Sequence, residues 1–203
     1  MRLTSVVLVT CLLPACAGVG IVAASDPLTK LNDAAVLFGQ KDRPLPAERL
    51  ILEAMSIYQN NNDPHGLGNA YREYAHLLTS PAVASRESLY RRDGFVDRSI
   101  TFDNRLAKAN DFYRKALEYY NQAVPQLRDS GRYDALTNVY FNMAWVHLAL
   151  GEKDQACSDF DRTLQAYTEN VQRTPSAKPS FPARFSSFPE ALAYERQRAG
   201  CQT

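Results

Sequence analysis

The sequence predicts an all-α protein, a short solenoid of about three helical hairpins closed by a C-terminal capping helix. Three observations carry that reading. Apolar residues recur at intervals of three and four, and no run alternates apolar with polar residues as a strand requires. Small residues recur at matching offsets, with 19 positions from Ala35 to Ala54 and again from Ala144 to Thr163. A further set, Tyr71, Tyr74 and Ala75 followed by Ala109, Tyr113 and Ala116, keeps the order with the span from Ala75 to Ala116 stretched to 41, so 22 residues have entered between its two helices. At such offsets a small side chain lets two helices cross within about 8 to 10 Å while larger neighbours fill the groove. Each hairpin leaves an apolar face bare, which a stacked neighbour covers.

The chain opens on an address. Met1-Arg2 and the apolar run "LTSVVLVTCLL" (3–13) have the form of a signal-peptide core, too short to span a bilayer as a mature helix. The run ends in Leu13-Pro14-Ala15-Cys16, which resembles a bacterial lipobox with Cys16 as the lipid acceptor and Pro14 as a departure. Two alternatives stay open: cleavage after Val22-Ala23-Ala24, or retention of 3–25 as one membrane anchor. All three place the remainder outside the cytoplasm. Ala17 after Cys16, rather than Asp, resembles lipoproteins sent to the outer membrane. The expectation is therefore a chain lipid-anchored at the cell envelope and facing the periplasm, or a soluble periplasmic or secreted one. Residues 1–25 are set apart from a repeat domain at 26–170 and an extension at 171–203.

Helices are expected at about 28–40, 46–60, 64–79, 105–123, 133–150 and 153–169. Asn60-Asn61-Asn62-Asp63-Pro64 stops one and offers a cap to the next, and Ser130-Gly131 does the same later. Pro125 should kink or end the helix before it, because it lacks an amide hydrogen and crowds the preceding turn. "RPLP" (43–46) interrupts the first turn between helices. The insertion at 80–104 alternates Arg86, Arg91, Arg92 and Arg98 with acidic residues and carries Tyr90, Phe95, Ile100 and Phe102; it reads as an extra helical turn with a solvated connector, or as a binding edge.

The tail begins with Pro175, Pro179 and Pro182, then "FPEALAYERQRAGC" forms a short helix with Pro189 in its first turn. Phe181, Phe185, Phe188, Leu192 and Tyr194 are assigned to packing on the last hairpin, with a mobile partner-binding tail as the alternative. In an oxidising space Cys157 and Cys201, the two cysteines outside the leader, read as a disulfide, with two unpaired thiols as the alternative.

Charge and motifs exclude much. With 23 basic and 22 acidic residues the net charge is +1, which gives no basic footprint for nucleic acid. His65, His76 and His147 are scattered away from any cysteine pair, so no metal and no cofactor is expected. Asp154, Asp159 and Asp161 lack the glycine and ligand ladder of a calcium loop and read as a solvated face. Gly66-Leu67-Gly68 lacks the Lys-Ser/Thr of a phosphate loop, and no nucleophile elbow is present, so no catalysis is expected.

The repeat resembles the tetratricopeptide repeat, a 34-residue helical hairpin. Its slots are held by Leu31, Ala34, Ala35, Phe38, Ala47, Ile51 and Ala54, by Tyr71, Tyr74, Ala75, Leu78, Ala109, Tyr113 and Ala116, and by Tyr140, Met143, Ala144, His147, Ala156, Phe160 and Thr163, covering about residues 28 to 169. The resemblance implies a concave face made by the first helices, on which a protein or peptide partner lies. Carried over by position, that face comprises Thr29, Asn32 and Val36, then Asn69, Arg72 and His76, then Asn138, Phe141, Trp145 and Leu148. Arg72 alone does not make the basic cluster of members that clasp a C-terminal carboxylate. Phe141 and Trp145, one turn apart, form an aromatic shelf for a partner or pack beneath the C-terminal segment. Two functions follow: an envelope-anchored adaptor without chemistry of its own, or a structural assembly factor that self-associates.

Overall fold

The structure is a computed structural model that describes residues 26–175 and 183–201. The leader with Cys16, and Phe181 of the tail, lie outside the described residues. Nine helices and no strand are found among those described: α1 (Pro27–Gly39), α2 (Pro44–Asn60), α3 (Pro64–Thr79), α4 (Pro81–Ala84), α5 (Glu87–Asp93), α6 (Arg105–Asp129), α7 (Tyr133–Ala149), α8 (Lys153–Arg173) and α9 (Phe188–Ala199). None is long and apolar enough to cross a membrane.

Helix starts are chemically marked. The Asp26 carboxylate accepts from the Thr29 amide at 2.8 Å and the Asp63 carboxylate from the Gly66 amide at 2.9 Å, satisfying amides that have no partner inside the helix. The prolines of "RPLP" begin α2 rather than interrupting it, since a first-turn proline loses no helical hydrogen bond. The turn from α7 to α8 passes through Gly151 at φ +77°, a left-handed conformation that side chains resist.

The chain packs as three hairpins, α1 with α2, α3 with α6, and α7 with α8, and the second helix of each touches the element that follows it: α2 on α3, α6 on α7, α8 on α9. The first helices α1, α3 and α7 also touch in a row, whereas α2, α6 and α8 make no comparable contact with one another. The first helices therefore form the inner layer, and the second helices splay on the outside. This is the expected helical-hairpin solenoid, with α9 standing where the first helix of a further hairpin would stand.

The small-residue slots are where the helices meet. Ala34, Ala47, Ala54, Ala75, Ala109, Ala116, Ala144, Ala156 and Thr163 are all fully buried. In the first unit Ala34 rather than Ala35 holds the innermost place, Ala35 being half-buried. Close approach also explains Gly68 in α3: a Cβ there would stand 2.5 Å from the buried Tyr120 ring of α6.

Three expectations are corrected. Pro125 does not end α6, which continues to Asp129. Ala123 is buried and Val124 and Leu127 pack on the core, so tertiary contact holds the turn that the missing amide weakens. The insertion is no solvated connector. It forms α4 and α5 and returns through a loop whose Phe95 and Ile100 are 1% and 2% exposed, with the Tyr90 and Phe95 rings stacked at 4.2 Å. Its anchor is Glu48 of α2, fully buried, whose Oε1 accepts from the Tyr74 hydroxyl at 2.7 Å and from the Val96 and Asp97 amides at 2.9 and 3.2 Å. Burial pushes the Glu48 carboxyl up and these three hydrogen bonds pull it back, as expected for a carboxylate taken from water and partly compensated.

The third correction concerns Asp159, which is 2% exposed rather than part of a solvated face. It lies 3.5 Å from His147 Nε2 and 3.2 Å from Arg162 Nη1, while His147 Nδ1 meets Glu152 at 2.7 Å.

Candidate functional site

The inner face is built from the exposed flanks of α1, α3 and α7. A helix packed on one side against its hairpin partner presents residues three and four apart on its other side. On α1 that flank holds exposed Asn32 and half-buried Val36. On α3 it holds Asn69, Arg72 and His76, all half-buried, and on α7 exposed Asn138 and half-buried Phe141, Asn142 and Trp145.

The middle of this face is a polar network joining two hairpins. Arg72 Nη1 donates to Asn142 Oδ1 at 2.6 Å, Asn142 Nδ2 donates to Asn69 Oδ1 at 3.1 Å, and the Tyr120 hydroxyl donates to the same Asn69 oxygen at 2.9 Å. Arg72 also reaches Glu73 Oε2 at 3.4 Å, and His76 Nδ1 lies 3.8 Å from that oxygen. Arg72 Nε is buried without a hydrogen-bond partner among the described residues, and the side chain as a whole is 23% exposed. A guanidinium has five donors, so the network leaves Arg72 with hydrogen-bonding capacity unspent.

Burial sets the electrostatics. It pushes the Glu73 carboxyl up, with Arg72 opposing, and pushes His76 down to about 4, with Arg72 adding to the fall. The His76 and Tyr113 rings stand edge-to-face with their centroids 5.7 Å apart.

The third hairpin's share of the face is largely covered. Phe141 packs against the cluster of Ala144, Phe160 and Leu192, joined by Phe188 and Cys201 of the extension. Trp145 stands edge-on to Phe141 and Phe160 at 6.3 and 6.4 Å, with the Arg198 guanidinium 6.0 Å from its ring. The aromatic shelf thus serves as the seat of α9. Cys157 and Cys201 are joined as a disulfide, and Arg196 pairs with Asp161. Leu192 and Phe188 pack as expected, but Tyr194 is 39% exposed and pairs with Phe185 at 5.3 Å on the outer side of α9.

The residues carried to the face by position therefore separate into three sets. Asn69, Arg72 and His76 converge, Asn32, Val36 and Asn138 flank them, and Phe141 with Trp145 is drawn under the cap. Asn142 and Glu73 were missed by sequence reasoning; Asn142 sits one turn from Asn138 on the same flank, a signal that was available. No group of three His, Cys, Asp or Glu residues converges to hold a metal among the described residues. The chain matches no family model, no curated protein and no solved structure.

Proposed function

We propose that this chain is a protein-protein interaction module of the tetratricopeptide kind, a non-catalytic adaptor held at the bacterial envelope by its leader and facing the periplasm. A partner segment lies along the inner face of α1, α3 and α7. The observation that carries this reading is the network of Asn69, Arg72 and Asn142, which joins two hairpins and holds there an Arg72 side chain that is 23% exposed and spends only part of its five donors. Extended segments offer carbonyl and side-chain oxygens to such donors, and exposed Asn32 and Asn138 extend the row on either side.

The test is affinity for peptides selected against the protein from a displayed library. Arg72→Ala, and separately the double change Asn32→Ala with Asn138→Ala, should each weaken binding about tenfold, roughly 1.4 kcal/mol. Both asparagines are exposed, so that double variant should keep its unfolding midpoint, and Gln165→Ala on the outer side should bind as the parent does. Selected peptides indifferent to both inner-face changes overturn the reading.

A further inference from the structure

A cleft lies on the other side of α7, away from the inner face. Because α6 and α8 splay, the outer flank of α7 is left as the floor of a cleft of roughly 600 Å3 lined by all three helices. We propose that this cleft is a binding site for a small organic anion, a carboxylate or phosphate ester with an apolar or planar body. The site is separate from the inner face and does not rest on the adaptor reading.

Two cations from different helices are fixed on one tyrosine. Arg128 of α6 donates through Nη2 to the Tyr140 hydroxyl at 3.0 Å, and the Arg162 guanidinium of α8 lies over the same ring, 6.0 Å from its centroid. Arg162 is steadied from behind by Asp159 at 3.2 Å, and Tyr140 is itself only 6% exposed, so both guanidinium groups are held by buried supports. Each spends few of its five donors in these contacts. Both guanidinium groups line the cleft, and a bound oxyanion accepts forked hydrogen bonds from such donors.

The remainder of the lining agrees. Among the described residues Glu169 is the one carboxylate lining the cleft, and it lies 3.5 Å from Arg173, a third cation stacked 4.6 Å over the Tyr133 ring. Asn121 and Gln165 bring side-chain amides to the rim, while Tyr133, Leu136 and Ala166 supply an aromatic and aliphatic floor. The exposed lining is more polar than apolar, with half-buried Tyr133 as its accessible ring, and a cleft of this size suits a small molecule carrying a planar group rather than a bare ion.

The experiment titrates the full chain with phenyl phosphate, benzoate, benzamide and inorganic phosphate, following calorimetry and amide shifts. Phenyl phosphate or benzoate should bind saturably with a Kd below about 1 mM, at least tenfold more tightly than neutral benzamide, and more weakly as salt rises. Arg128→Gln should weaken the anion at least fivefold. Arg162→Gln strips a partner from buried Asp159 and risks misfolding, so the decisive variant is Arg128→Gln, whose side chain is exposed. Shifts should centre on Tyr133, Leu136 and Ala166. Absence of saturable binding, equal affinity for benzamide, or an unchanged Kd in Arg128→Gln overturns the proposal. Inorganic phosphate binding as tightly as phenyl phosphate overturns the role given to the organic body and to Tyr133.

Discussion

The body of the solenoid and its C-terminal cap use different means to stay folded. In the body, α1 to α7 and the insertion share one continuous core in which rings stack, Tyr74 on Phe112 at 4.9 Å and Tyr90 on Phe95 at 4.2 Å, and in which the insertion is tied down by the buried Glu48 carboxylate. The cap rests on a separate small cluster whose fully buried members are Ala144, Phe160 and Leu192, and it is fastened by the disulfide between Cys157 and Cys201. An internal hairpin has a neighbour on each side to bury its apolar faces, whereas a terminal helix has one. A single twelve-residue helix is marginal without its packing. The cap's covalent tie makes up for contacts that its position denies it.

That contrast can be broken at its strongest point first. Replacing Glu48 with Ala leaves the Tyr74 hydroxyl and the Val96 and Asp97 amides without their acceptor inside the core. Buried unpaired donors cost about 1 to 3 kcal/mol each, so a loss of about 4 kcal/mol in urea unfolding is expected. Hydrogen exchange should accelerate through 94–104 while α9 keeps its protection. Coupled loss of α9 would show that body and cap are one cooperative unit.

Cutting the tie tests the other half. Cys201→Ser removes a crosslink between residues 44 apart in sequence, worth about 4 kcal/mol at most by loop-closure reasoning. The expected result is fast exchange confined to α9 and higher Trp145 exposure, seen as a red-shifted emission, with α1 to α6 unchanged. A uniform loss of protection would mean the cap supports the whole solenoid.

A smaller effect comes from Gly68→Ala within the body. The methyl collides with the Tyr120 ring, an overpacking cost of about 1 to 3 kcal/mol that alanine's better helix propensity, about 1 kcal/mol, only partly offsets. A net loss of about 1 kcal/mol is expected by thermal unfolding, with Gly39→Ala, where no neighbour lies within 4 Å, as the comparison expected to be neutral or stabilising.

The smallest effect is in pH. His76 is held down to about 4 in the folded chain, against 6.5 ordinarily, so between those values the unfolded chain takes up a proton that the folded chain refuses. Stability should therefore fall as pH drops through that window. The side chain is 37% exposed, so solvent screening leaves less than the full shift as stability. Urea midpoints at pH 7 and pH 5 should differ more in the parent than in His76→Gln, and equal differences would remove His76 from the acid response.

How much of this was legible follows from the range of each interaction. The hairpin slots could be read because helix approach demands small residues at regular offsets, and Ala75, Ala109 and Ala144 carry that demand locally. Glu48 and Asp159 could not be read as buried, because charged residues usually lie outside and their partners come from Val96, 48 positions on, or from the neighbouring helix in the case of His147. Pro125 was misjudged because a rule about the isolated helix ignores Ala123, Val124 and Leu127 packing around it. The flank containing Asn69, Arg72 and His76 was legible by position, while Asn142 as Arg72's acceptor, 70 residues away, was not.

Chain-local physics thus decided the helices, their caps and the small-residue slots, since periodicity and capping act over a few residues at a time, whereas the cysteine pair was one of two readings until the fold brought Cys157 and Cys201 together. Only packing decided that the insertion joins the core, that α9 takes the aromatic shelf, and that Arg128 and Arg162 meet on Tyr140. Those outcomes depend on which distant surfaces are brought together, and no local pattern specifies that.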